Sequence, residues 1–171
     1  MEDILYDNGP FEEQAAAKMF FELYKGARFL YKRQVVHRNI TTRNILVTHK
    51  GIPKFIDFKI AKSHPHKTPS CETIGNAIYL SPQMIATSTG ATKSFDPYAA
   101  DFWAVGVCFF MMLNNCNPWH ASELANLLEE QQNRAFQWHQ LILTELSKEV
   151  ASLVERILEP DLTKRLTVKT L

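Results

Sequence analysis

Residues 37–44 read His-Arg-Asn-Ile-Thr-Thr-Arg-Asn, and the triplet Asp57-Phe58-Lys59 stands thirteen residues after Asn44. Three more short groups follow in the chain: Ser81-Pro82-Gln83, then Asp101-Phe102-Trp103-Ala104-Val105-Gly106, then Arg165 after Pro160-Asp161. Each group alone is weak evidence. Together, five groups in a fixed order and spacing decide the fold.

The segments next to residues 37–44 predict one helix and one hairpin. Upstream, apolar residues recur at three- and four-residue steps from Ala16 to Leu30, which predicts an amphipathic helix. Downstream, two short β-like runs at residues 44–48 and 54–58 are separated by a turn that contains Gly51 and Pro53. This pattern predicts a small hairpin.

The rest of the chain predicts a loop and several helices. Residues 63–76 are rich in Ser, Thr, Pro, His and Lys without any period, which predicts a loop. Residues 101–113 are apolar on nearly all sides, as expected for a helix in the middle of a core. Further helices are expected at 122–133 and 148–158. The predicted fold class is mostly α with one small β element.

Composition limits the protein class. The 171 residues carry a net charge of +1, so we expect no nucleic-acid partner and no anionic membrane partner. The three cysteines form no paired motif, which fits a reducing compartment. Glu2 and Asp3 follow Met1 directly, which argues against a secretory signal, and no apolar run reaches the roughly 20 residues that span a bilayer. A cytoplasmic protein of one domain is the expectation.

The stretch at 37–44 resembles the catalytic loop His-Arg-Asp-Leu-Lys-x-x-Asn of protein kinases. Asp57-Phe58-Lys59 is similar to Asp-Phe-Gly, and Ser81-Pro82-Gln83 is similar to Ala-Pro-Glu. The resemblance covers residues 1–171 and implies the C-terminal lobe of a kinase domain, truncated at both ends. By this resemblance, we expect the N-terminal lobe, with its Gly-rich loop and strand lysine, to be absent.

Within the kinases, two segments resemble the testis-specific serine/threonine kinases of the calmodulin-dependent-kinase-like branch. They are Asp7-Asn8-Gly9-Pro10, and Asn117-Pro118-Trp119-His120 through Gln131-Gln132.

The resemblance implies a degenerate catalytic loop. Asn39 stands where kinases have the aspartate that takes up the proton of the attacking hydroxyl, and an amide is too weak a base for this role. Thr41 replaces the lysine that steadies the transferring phosphate. Asn76 stands where Thr or Ser normally contacts both groups. Three changes in groups that act together favour a chain without catalytic activity over drift at one position.

The metal-binding pair of the family is retained. Asn44 and Asp57 offer oxygen ligands of the kind that Mg²⁺ takes beside nucleotide phosphates. The resemblance therefore implies ATP and Mg²⁺ as cofactors if any nucleotide binds. The alternative is that both residues only satisfy backbone groups of the loop. Lys59 replaces a flexible glycine, and either locks this segment or places a positive charge near phosphates.

Other positions carry structural roles in the family. The resemblance implies that His37 and Phe58 stack in the core, and that Asp101 accepts hydrogen bonds from the catalytic-loop backbone. Gln83 replaces the glutamate that pairs with Arg165, so we expect this contact to be weakened but present.

The resemblance implies that Arg38 binds an anionic group of the loop at residues 63–76. In the family this arginine grips a phosphate, and Thr68, Ser70 and Thr73 are candidate acceptors. The alternative is an unmodified, flexible loop.

Three functions remain open. The first is a pseudokinase lobe that acts as a binding or scaffold module for protein partners or kinase substrates. The second is an active ATP-dependent serine/threonine kinase whose N-terminal lobe is missing from this chain. The third is a truncated product that folds poorly, since a lone lobe exposes apolar surface.

Overall fold

The computed structural model describes residues 1–171, and it is mostly helical with two very small sheets. In chain order the elements are α1 (Glu2–Asn8), α2 (Glu13–Lys32), β1 (Val35–Val36), β2 (Ile45–Val47), β3 (Pro53–Phe55), β4 (Lys62–Ser63), α3 (Pro82–Ser88), α4 (Pro97–Asn114), α5 (Leu124–Gln132), α6 (Gln140–Glu145) and α7 (Lys148–Ile157). The prediction of a mostly helical fold is confirmed, with two small sheets where one β element was expected.

Helix α4 is the centre of the core, as its uniform apolar sequence predicts. Asp96 caps its start by accepting hydrogen bonds from the backbone N–H groups of Tyr98 and Ala99, and Asn115, just after its last residue, adopts the left-handed conformation. The helix starts four residues earlier than predicted, because Asp96-Pro97 is itself a capping signal.

Helix α2 lies against α4 through the face that its periodicity predicts. The rings of Phe20 and Phe109 stack with centroids 4.5 Å apart. Phe20, Leu23 and Ala27 are buried on this face, which fixes the helix that leads into residues 37–44. On another side, the Phe55 ring lies against Gly26, where a Cβ atom would meet it at 3.0 Å.

The two sheets lie at the two ends of residues 37–44. Strands β2 and β3 form the predicted antiparallel hairpin, with Ile45 opposite Phe55. Strands β1 and β4 also pair, with Val36 opposite Lys62, and the sequence did not predict this sheet. Two-residue strands carry too little periodicity to be detected.

Sequence analysis also missed three helices, α1, α3 and α6. They have seven, seven and six residues, which is about two turns or less. A period cannot be established over so short a span. The predicted helices at 122–133 and 148–158 are confirmed as α5 and α7. The predicted loop has no helix, and its Ser70 forms an isolated β-bridge with Phe95. None of the helices combines the length and apolar character needed to cross a membrane.

Candidate functional site

The backbone of residues 37–39 is held in place by α4. The Asp101 carboxylate accepts hydrogen bonds from the N–H groups of His37 at 2.6 Å and Arg38 at 2.9 Å, as predicted. Arg38 needs this support, because its φ of 67° lies in the left-handed region, which non-glycine residues rarely adopt. Asp101 retains some exposed surface, yet burial of its carboxyl group raises its pKa to about 6.

Asn39 is bonded directly to Asp57. The side-chain Nδ2 of Asn39 donates to Asp57 Oδ2 at 3.1 Å. The backbone carbonyl oxygen of Asn39 accepts a hydrogen bond from Asn44 Nδ2 at 2.9 Å. Asn39, Asn44 and Asp57 are therefore brought together in one chain of hydrogen bonds. An amide that donates in this way ties up one of the two carboxylate oxygens of Asp57.

Asp57 and Asn44 fit a divalent cation only in part. Asp57 Oδ1 is buried and accepts no hydrogen bond, so one carboxylate oxygen is free to act as a ligand. Asn44 uses its amide nitrogen for Asn39, which leaves its amide oxygen available as a second ligand. Lys59 Nζ lies 3.9 Å from Asp57 Oδ1 and opposes a cation there. Oxygen ligands of this kind suit Mg²⁺, which would neutralise phosphate charge when bound.

Thr41 and Asn76 serve local structure. Thr41 is buried, and its Oγ1 accepts a hydrogen bond from the Asn44 N–H at 3.3 Å, at the start of a short 3₁₀ turn. Asn76 is exposed and its Oδ1 accepts from the Ile78 N–H at 3.2 Å. Neither side chain bonds to Asn39. Neither can supply the positive charge that a lysine would bring to a phosphate.

His37 and Phe58 are in contact as expected, but their rings are tilted by 55° instead of stacked, and Phe58 is not buried. The ring centroids lie 4.5 Å apart, and His37 is fully buried. Burial lowers the pKa of His37, and its Nε2 lies 3.0 Å from the carbonyl oxygen of Ile56. Phe58, however, is 46% exposed. The expectation of a core position is wrong because Asp57 turns the chain through a left-handed conformation with φ 62°, and one face of the following ring remains uncovered.

Arg38 binds a carboxylate of the loop. Its Nη1 lies 2.5 Å from Glu72 Oε2, and Lys62 Nζ lies 3.0 Å from the other oxygen, Oε1. Hydrogen bonds from Lys62 and Arg38 lower the pKa of Glu72. Arg38 was predicted to bind a phosphate of the loop. In the structure, the carboxylate of Glu72 is its anionic partner, and no phosphorylation is needed. Sequence analysis missed Glu72, although it is the single acidic residue in 63–76.

Comparison with known proteins decides the family. The sequence profile of the protein kinase domain matches residues 1–171. The chain belongs to the protein kinase family. Curated relatives are serine/threonine kinases at modest identity. The CBL-interacting serine/threonine-protein kinase 1 of Arabidopsis thaliana is 27% identical over 97% of this chain and 36% of its own length. The serine/threonine-protein kinase cds1 of Schizosaccharomyces pombe is 29% identical over 96% of this chain and 36% of its own length. This kinase chain therefore spans about a third of the length of these relatives.

The predicted contact between Gln83 and Arg165 is present. Arg165 is only 4% exposed, and its Nη2 donates to Gln83 Oε1 at 2.8 Å. The guanidinium also lies 4.5 Å above the Trp103 ring. Its Nη1 has no hydrogen-bond partner, and burial lowers the pKa of Arg165 to about 10. The buried guanidinium therefore keeps one nitrogen without a hydrogen bond, which lowers the stability of this core.

We expect Gln83→Glu to stabilise this kinase chain by about 1 kcal/mol, because a carboxylate makes a charge-assisted hydrogen bond and offers a second oxygen to Nη1. The gain is limited because Gln83 Nε2 now donates to the Pro160 carbonyl at 2.8 Å, and glutamate would lose this bond. Urea unfolding measures the change. Gln83→Ala is the control and should destabilise. A Gln83→Glu variant no more stable than the wild type would contradict the account of Arg165.

Proposed function

We propose that this chain is a non-catalytic, kinase-like C-terminal lobe that acts as a protein-binding or scaffold module, with at most weak affinity for ATP. One observation carries the proposal: the Asn39 amide donates to Asp57 at 3.1 Å. In place of a proton acceptor, the loop has a neutral amide, and this amide occupies an oxygen of the metal-binding carboxylate.

The scaffold around this altered loop is intact. Asp101 holds the loop backbone, Glu72 joins Arg38 to Lys62, and Gln83 still contacts Arg165. These contacts support a folded module and argue against the poorly folding product. Its expected partners are other proteins, including substrates or regulators of related serine/threonine kinases. Membership of the testis-specific branch and a cytoplasmic location stay predictions.

The second candidate function is an active serine/threonine kinase that works with an N-terminal lobe from outside these 171 residues. The free Oδ1 of Asp57 and the free amide oxygen of Asn44 favour it, since both can bind Mg²⁺. This candidate predicts ATP-dependent labelling of a protein substrate above an Asp57→Ala control. The proposed function predicts labelling equal to that control.

A thermal-shift titration with ATP, with and without Mg²⁺, tests the nucleotide part of the proposal. A ligand that binds only the folded state raises the unfolding midpoint, by an amount that grows with the logarithm of its concentration above the dissociation constant. We expect no rise in the midpoint of the wild type at ATP concentrations up to about 1 mM, a range that detects dissociation constants at and below that value. A rise in the midpoint that grows with ATP concentration, needs Mg²⁺ and is lost in Asp57→Ala would contradict the proposal.

A further inference from the structure

Helix α2 has a solvent-facing side that α4 and the hairpin leave open. Seven exposed residues form this side, which we call the α2 outer face: Gln14, Lys18, Phe21, Lys25, Arg28, Phe29 and Lys32. Since successive helical residues are rotated by about 100°, these seven positions fall within an arc of about 100°. They form one continuous strip along the helix.

Two large rings project from the α2 outer face. Phe21 is 54% exposed and Phe29 is 57% exposed. They are eight positions apart, which places them about 12 Å apart along the helix axis. Basic groups lie over the rings: Lys25 Nζ is 4.7 Å from the Phe21 centroid, and the guanidinium of Arg33, the residue after the helix, is 5.2 Å from the Phe29 centroid. The strip thus alternates apolar and cationic groups.

The charge of the α2 outer face differs in sign from that of the rest of the chain. Four of its residues are basic and none is acidic, so the face carries +4. The whole chain carries +1, and subtracting +4 leaves −3 for the remainder. Lys25 forms an ion pair with Glu22 at 2.5 Å, whereas Lys18, Arg28 and Lys32 have no ion pair. Three unpaired cations beside exposed rings match an anionic partner that also carries apolar groups.

We propose that the α2 outer face binds an acidic amphipathic helix of a partner protein. Leucine-like side chains of this helix contact Phe21 and Phe29, and its carboxylates pair with Lys18, Arg28 and Lys32. This assignment rests on the proposed function as a binding module, and it names the surface and the chemistry of the partner.

An anionic membrane shares this chemistry but fits the geometry less well. A helix that lies in a membrane interface inserts a broad apolar face between lipid headgroups. The broad apolar face of α2, with Phe20, Leu23 and Ala27, is buried in this chain. Only two rings remain, arranged along a line. A line of alternating rings and cations matches a second helix lying alongside, whose side chains repeat every three or four residues.

The test uses the full chain and a fluorescent synthetic peptide of about 18 residues, with leucines at helical three- and four-residue spacing and glutamates elsewhere. Fluorescence anisotropy measures its affinity beside a scrambled peptide of the same composition and beside phosphatidylserine vesicles. The variants are Phe21→Gln with Phe29→Gln, and Lys18→Glu with Arg28→Glu. All four positions are exposed, so we expect the variants to keep the wild-type unfolding midpoint. Leu162→Gln and Lys93→Glu are matched controls on other exposed segments.

We expect the wild type and both controls to bind the amphipathic peptide at least about tenfold more tightly than the scrambled one. The phenylalanine variant should lose about tenfold in affinity, and the charge variant should lose more, with a smaller salt dependence. Equal binding of the scrambled peptide, binding to vesicles alone, or unchanged affinity of the phenylalanine variant would overturn the assignment. None of these results depends on nucleotide or phosphate transfer, so failure here leaves the catalytic part of the proposed function standing.

Discussion

Replacing Asp101 with alanine is expected to lower the free energy of unfolding by about 3 kcal/mol, because two backbone N–H donors then lose their acceptor. These donors belong to His37 and Arg38, and Arg38 is held in a left-handed conformation that is costly without support. Urea unfolding followed by circular dichroism measures the loss. Asp7→Ala, at an exposed position, is the control and should change stability by less than about 0.5 kcal/mol. A loss below about 1 kcal/mol for Asp101→Ala would show that the loop is held by other contacts.

The same variant has an expected pH dependence. The folded-state pKa of Asp101 is raised to about 6 by burial, above the unfolded value of about 4. For a raised pKa, the stabilising contribution of the protonated form is fully present below the unfolded value and is lost as pH rises through about 6. The stability advantage of the wild type over Asp101→Ala should therefore grow as the pH is lowered from 7 to about 4. A difference that is constant with pH would contradict the raised pKa.

Replacing Asn39 with aspartate should make stability depend on Mg²⁺. The new carboxylate would stand about 3 Å from that of Asp57, where two negative charges repel strongly and raise the pKa of one group. We expect a loss of about 1–3 kcal/mol at pH 8, recovered when the pH falls through the raised pKa or when Mg²⁺ binds between the carboxylates. Thermal unfolding with and without MgCl₂ measures both effects.

Asn39→Ala is the matched control for this prediction. It removes the amide donor to Asp57 without adding a charge, so the difference between the two variants isolates the repulsion. If Asn39→Asp behaves like Asn39→Ala at every pH and Mg²⁺ concentration, the two side chains do not approach each other as described. The variant alone is not expected to transfer phosphate, since Thr41 still lacks the lysine charge.

Much of the architecture could be predicted from local pattern. The apolar strip of α2, the turn of the β2–β3 hairpin and the uniform apolar character of α4 are each contained in a short stretch of sequence. The bonds of Asp101 and of Arg165 could also be anticipated, because the resemblance to kinases supplied their partners over long sequence separations.

The details of the site could not be predicted in the same way. The Asn39–Asp57 hydrogen bond joins residues 18 positions apart in the sequence. The placement of the Asp57 carboxylate that accepts it depends on the left-handed backbone conformation at Asp57. The ion pairs of Glu72 with Arg38 and Lys62 depend on the path of a loop without periodicity. The exposure of Phe58 depends on which side chains pack over its ring. These features arise from tertiary geometry, which single-sequence patterns do not record.

Whether the altered loop prevents catalysis is tested most directly by comparing two versions of the chain. One keeps Asn39, Thr41 and Asn76, and the other carries the usual kinase residues at these three positions. The quantity measured is the initial rate of ATP-dependent phosphate transfer. The 171 residues hold no Gly-rich phosphate loop, so both versions are placed behind the N-terminal lobe of an active relative. The restored version, Asn39→Asp with Thr41→Lys and Asn76→Thr, shows that the assembled enzyme is competent. We expect the native loop to be slower than the restored one by at least about 100-fold, the range attributed to a lost general base. Rates within about threefold of each other would contradict it.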